Sequence, residues 1–140
     1  MIKKILLITI ISLFLTKTTF ASSEYFKEGI DLYNKKNFKE AKFKFEQDIV
    51  FNPKSENAYL YLSKIFNKQD KKKLEEKNLN TVLLLNPKNE EAIYNLAQLK
   101  LINSDYQKSR ELNKKLKSIC NNFCAKSDKL KTEIENLSKK

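Results

Sequence analysis

Only two prolines occur in the 140 residues of this chain, and both stand in the same phrase, Asn-Pro-Lys, around Pro53 and again around Pro87, 34 residues apart. Proline lacks the N–H that a helix interior uses and clashes with the turn before it, so it ends one helix or begins another. The neighbouring residues repeat with the prolines. At the same period Ser55 lies over Asn89, Glu56 over Glu90, Ala58 over Ala92, Tyr59 over Ile93 and Leu62 over Leu96. Each stretch restarts a helix just after its proline. Ser55 or Asn89 is placed to cap it, and an acid follows in the first turn, where the helix dipole favours negative charge. The remaining chain has one glycine and spaces its apolar residues at a helical period, with no strand-like alternation. The fold class expected is therefore all-α.

Projected backwards, the period gathers Tyr25, Gly29, Phe38, Ala41, Phe45 and Pro53 into one unit. These residues resemble the signature of the tetratricopeptide repeat, a 34-residue helix-turn-helix unit that stacks into a solenoid. The physical requirement is close approach of two helices. Gly29 lets the second helix lie against the first, Ala41 adds no bulk where they cross, and Phe45 fills the gap. On this frame the units run over about 22–55, 56–89 and 90–123. The second keeps Tyr59, Leu62, Leu79, Val82 and Pro87 but has Ser63 in place of Gly29 and Glu75 in place of Ala41. It is a degenerate repeat, expected to pack more loosely. The third offers Leu96, Ala97, Tyr106, Ser109 and Leu116, with Asn121 in place of the proline. Residues 124–140 are expected to form a capping helix and tail, with Leu130, Ile134 and Leu137 on one face. Such a polar-backed helix keeps the open end of a solenoid soluble.

Residues 1–21 read as a signal peptide: Lys3 and Lys4 precede an apolar run from Ile5 to Leu15, and Thr19-Phe20-Ala21 offers small residues for cleavage near Ala21. The run is shorter than the roughly 20 residues of a membrane span and is followed at once by Lys17, so cleavage is preferred to permanent anchoring. The expected localisation is the periplasm, or export more generally, in a bacterial protein. Loss of Lys3, Lys4 and Lys17 lowers the formal charge from +11 to +8. That basic field can attract anionic surfaces. Its cations are lysines with a single Arg110 in an Asn- and Ile-rich chain, so compositional drift on a solvated surface is preferred to a dedicated patch. Export argues against nucleic acid as a partner. Membrane contact is expected only through an uncleaved signal or weak lysine attraction.

The chain has no histidine, which removes Ser-His and Cys-His nucleophile pairs and the commonest metal ligand. Its carboxylates are scattered among lysines, and no glycine-rich loop could cradle a phosphate. No catalytic, metal or cofactor residue is expected, and the chain is not expected to be an enzyme. Cys120 and Cys124 stand one helical turn apart in the exported part, where a local disulfide is preferred to free thiols or a redox-active or intermolecular pair. Two sulfurs are too few for structural zinc.

The resemblance implies a concave groove, lined by the first helix of each unit, that holds an extended peptide or partner helix. Carried over by position, its candidates are Phe26, Ile30 and Tyr33; then Asn57, Tyr61 and Lys64; then Tyr94, Asn95 and Gln98. The Lys and Asn with which some members grip a C-terminal carboxylate are replaced here by Phe26 and Ile30. The function expected is a non-catalytic exported adaptor for another protein or peptide, with envelope assembly as its setting. The alternative is a basic protein that uses Lys64, Lys68, Lys71, Lys72 and Lys73 to bind anionic lipid or cell-wall polymer, although Glu75 and Glu76 partly neutralise that cluster.

Overall fold

The computed structural model describes residues 23–139. The expected signal peptide, residues 1–21, lies outside the described residues. Among the described residues seven helices follow one another: α1 (Glu24–Asn34), α2 (Phe38–Phe51), α3 (Glu56–Lys68), α4 (Lys72–Leu85), α5 (Glu90–Ile102), α6 (Tyr106–Ile119) and α7 (Cys124–Leu137). There is no strand among the described residues. Sequential helices pack in hairpins, α1 on α2, α3 on α4 and α5 on α6, and each hairpin stacks on the next, with α7 closing against α6 and α5.

Each hairpin turns at the same place in the period and by the same device. Lys36, Asp70 and Ser104, spaced by 34, all have left-handed backbone, with φ of 61°, 51° and 61°. At each, the amide of that residue donates to a carbonyl three residues back, and the next amide donates five residues back: Asn37 to Leu32, Lys71 to Phe66 and Asp105 to Lys100. This is the Schellman closure of a helix C-terminus, which satisfies otherwise unpaired carbonyls. Glycine is the usual residue there, yet none of the three is glycine.

The hairpins close through small residues. A Cβ placed on Gly29 would meet Phe45 Cε1 at 2.6 Å, so the glycine is what admits the fully buried Phe45 ring. In the third hairpin the small pair touches directly, Ser109 Oγ donating to the Ala97 carbonyl at 2.8 Å. The second hairpin closes without looseness. Ser63 is buried and satisfies its hydroxyl on the Leu60 carbonyl at 2.7 Å, while Glu75 is 4 % exposed and accepts from Asn67 Nδ2 at 3.1 Å. The expected slack is absent because the larger polar side chains find partners as they are buried.

Carboxylates pin the junctions between hairpins. Glu56 Oε1 accepts from Asn86 Nδ2 at 3.0 Å and from Asn89 Nδ2. Glu90, one period later, accepts from the backbone amides of Asn121, Asn122 and Phe123 at 2.8, 3.0 and 2.9 Å. Those three amides hold its carboxyl below the usual range, that of Asn121 contributing most. The same loop is spanned by Cys120 and Cys124, whose sulfurs lie at bonding distance, 2.04 Å. Asp48 is buried and takes hydrogen bonds from the hydroxyls of both Ser23 and Ser55. Of the two expected caps, Asn89 accepts from the Ala92 amide at 2.8 Å, whereas Ser55 makes no capping bond because its hydroxyl is committed to Asp48.

Two apolar clusters result. One centres on Phe45, Ala58, Leu62 and Ile65, the other on Leu79, Ile93, Leu96, Leu116, Leu130 and Ile134. Leu130 and Ile134 of α7 are each 1 % exposed, but Leu137 is 41 % exposed, so the cap buries two of its three apolar residues. The polar contact of α7 with α6 is buried too: Asn113 Nδ2 donates to the Ser127 carbonyl at 3.0 Å, and Ser127 Oγ to Asn113 Oδ1 at 2.9 Å.

Candidate functional site

The first helices of the hairpins, α1, α3 and α5, line a polar cavity of about 540 Å³. Of the nine residues proposed for the groove, Tyr33, Lys64, Asn95 and Gln98 lie around it. The others are placed differently. Phe26 and Tyr61 pack on Phe45, with ring centroids 5.7 and 5.0 Å away, and Tyr33 meets Tyr61 edge-on at 5.1 Å. Ile30 is half-buried against the same cluster, and Asn57 is exposed beside it on α3. Tyr94 packs on Phe123 at 5.6 Å, with Lys126 Nζ 4.1 Å from the Phe123 centroid. Of the three tyrosines, therefore, Tyr33 alone lines the cavity, while Tyr61 and Tyr94 are held in aromatic packing. Burial raises the Tyr33 hydroxyl above its usual range, reinforced by Tyr61 and Glu91, so it stays a neutral donor at physiological pH.

Charge around the cavity is largely paired. Lys64 Nζ lies 2.8 Å from Glu91 and 4.7 Å from the Tyr61 centroid, and Lys68 Nζ lies over the Phe38 ring at 5.5 Å. Further out, Lys100 bridges to Glu76 at 2.6 Å, joining α5 to α4. Ser63, Asn67, Lys68, Glu91, Leu99 and Ile102 also line the cavity without having been assigned to the groove, and so does Glu75, the most unusual of them. It is the one lining residue from α4, at the position normally held by a small residue where the two helices of the hairpin cross. Its departure from the small-residue pattern was the available signal. Among the described residues no group of acidic, cysteine or histidine side chains could hold a metal ion. No described helix is long and apolar enough to cross a membrane. The arrangement offers amide, hydroxyl and paired ionic groups beside the Tyr33 ring on a concave surface, a set that suits binding of a polar backbone.

No protein-family model and no curated protein matches the chain. Solved structures do. The TPR2B domain of yeast Sti1, solved as a complex with pHsp70, is 14 % identical with a TM-score of 0.76, covering 81 % of this chain and 95 % of that one. The first TPR of Spaghetti (RPAP3), bound to the HSP90 peptide SRMEEVD, is 14 % identical with a TM-score of 0.72, covering 81 % and 90 %. The chain has the tetratricopeptide-repeat fold. A third similar structure is the Yersinia enterocolitica type III secretion chaperone SycD in complex with a peptide of the translocator YopD, at 13 % identity and a TM-score of 0.74, covering 84 % and 93 %.

Proposed function

We propose that this protein is a non-catalytic adaptor that holds an extended segment of another protein in its groove, and that it does so outside the cytoplasm, in the periplasm, during envelope assembly. The observation that carries the binding reading is the cavity on the face of α1, α3 and α5, where Asn95 and Gln98 present amide groups beside Tyr33. An extended backbone needs both donors and acceptors along its length, and primary amides supply both. The neighbours add support, since those described were each solved with a peptide or partner in complex. Export rests on residues 1–21, with their basic start, apolar run and small-residue end.

The test is a comparison. The tagged chain is exported through its own signal and recovered with its partners from envelope extract, beside an Asn95→Ala/Gln98→Ala variant whose helicity is checked by circular dichroism. One partner captured by the native groove and lost from the variant is expected, together with an amino terminus beginning after Ala21. Equal capture by both would refute the groove. Recovery dominated by anionic vesicles or wall polymer, falling steeply with salt, would favour the lysine-mediated alternative.

A further inference from the structure

Glu75 sits where this fold places a small residue, and the residue is almost wholly buried at 4 % exposure. Among the described residues it has a single hydrogen-bond partner, Asn67 Nδ2 at 3.1 Å, which reaches one oxygen, Oε1. A buried carboxylate with one neutral donor is under-satisfied, since it can accept several and loses much hydration on burial. Desolvation is also the main influence on its titration, raising the carboxyl above its usual range, with Asp70 adding to the rise and Asn67 and Lys72 opposing it. The two cations around the cavity are engaged elsewhere, Lys64 with Glu91 and Lys68 over Phe38. Glu75 is among the residues that line the cavity, and among the described residues nothing donates to its second oxygen, Oε2.

We propose that the floor of the groove is a subsite for one cationic side chain, lysine or arginine, of the bound segment, with Glu75 as its acceptor. This rests on the groove reading above and narrows it. A cation is favoured over a neutral amide because a charge-assisted bond to a carboxylate is about twice as strong as a neutral one, and more so where water is excluded. Tyr33, Gln98, Leu99 and Ile102 line the same cavity of about 540 Å³, and the methylenes of a long stem would lie against the last two.

A phage-displayed library of random linear dodecapeptides, panned on the full chain, tests it. Peptides are expected that share one lysine or arginine at a fixed place. For such a peptide, Glu75→Gln, which preserves shape, should weaken binding at least tenfold. Changing the shared cation to glutamine should do the same, and the two changes together should cost no more than either alone. Glu75→Ala restores the residue type found at Ala41 and serves as a second, fold-compatible variant. Peptides that lose binding with Asn95→Ala/Gln98→Ala, but carry no fixed cation and ignore Glu75, would overturn the subsite and leave the groove standing. Failure to select any peptide sensitive to Asn95 and Gln98 would overturn both. As a direct probe, N-acetyl-arginine amide should shift the Glu75 carboxyl carbon resonance, and no shift at saturating concentration would also reject the subsite.

Discussion

The single glycine makes a sharp test of how the first hairpin is built. Gly29→Ala adds one methyl group, which at its ideal position lies 2.6 Å from Phe45 Cε1, 2.8 Å from Cδ1 and 3.0 Å from Cζ. Carbon atoms are content at about 3.5–4.0 Å, so the ring must move by close to 1 Å. It has little room to do so, being fully buried, stacked on Tyr61 and in tilted contact with Phe26. Overpacking of this kind costs ~1–3 kcal/mol. Against it stands the better helix propensity of alanine, about 1 kcal/mol. The net expectation is a loss of roughly 0–2 kcal/mol, too broad to be decisive alone. The decisive measurement is the same substitution in a Phe45→Leu background, where the smaller side chain vacates the space. There Gly29→Ala should stabilise by about 1 kcal/mol, giving a coupling of ~1–3 kcal/mol between the sites. Urea unfolding followed by circular dichroism for all four chains supplies the cycle. A coupling below about 0.5 kcal/mol would mean that the glycine is not there for the ring.

Three more outcomes follow from the turns and the junction loop. Left-handed backbone costs an ordinary residue ~1–2 kcal/mol, so Lys36→Gly and Ser104→Gly should each raise the unfolding free energy by up to about 1 kcal/mol after the added unfolded-state entropy, and Asp70→Gly by less, since aspartate tolerates this region; a lower urea midpoint for all three would refute it. Glu90, held low by three amides, binds its proton less readily folded than unfolded. Stability from it is therefore present above the ordinary carboxylate range and lost as pH falls through its folded value, so Glu90→Gln should flatten the acid side of a melting-temperature profile. The Cys120–Cys124 pair closes a loop small enough that the bond contributes only about 2 kcal/mol by chain entropy. Intact mass of exported protein should be two hydrogens below the reduced chain, with reduction lowering the thermal midpoint by a few degrees and leaving helicity mostly in place.

Much of the fold was legible because its constraints are local and periodic. The prolines mark where helices cannot continue, and Gly29 with Phe45 states a close crossing in two letters. What escaped the sequence did so for definite reasons. The left-handed turns were hidden because Lys36, Asp70 and Ser104 share no residue type that announces positive φ; their geometry is imposed by the helices they join. Glu75 read as a degraded position, since nothing in sequence says that a carboxylate at a crossing will find Asn67 and an open cavity. Tyr61 and Tyr94 could be assigned to the right helices but not to a role, because whether an aromatic ring packs or waits for a ligand depends on neighbours such as Phe45 and Phe123.

The junction carboxylates bear on how such a chain can change its length. Glu56 reaches residues 30 and 33 positions ahead, and Glu90 reaches residues 31 to 33 ahead, so each bond ties the opening of a helix pair to its own close. The clasp and its catch travel together in one stretch of the gene. Residues 56–89 thus make a self-fastened cassette: duplicated in tandem, the copy brings its own glutamate and its own asparagines and needs no compensating change in either neighbour. A cut that parts Glu90 from Asn121, by contrast, leaves a carboxylate without its amides. Lengthening or shortening by whole periods is the path of least disruption for this architecture, and it would extend or contract the groove by one helix while leaving the closing helix α7 on a face it already fits.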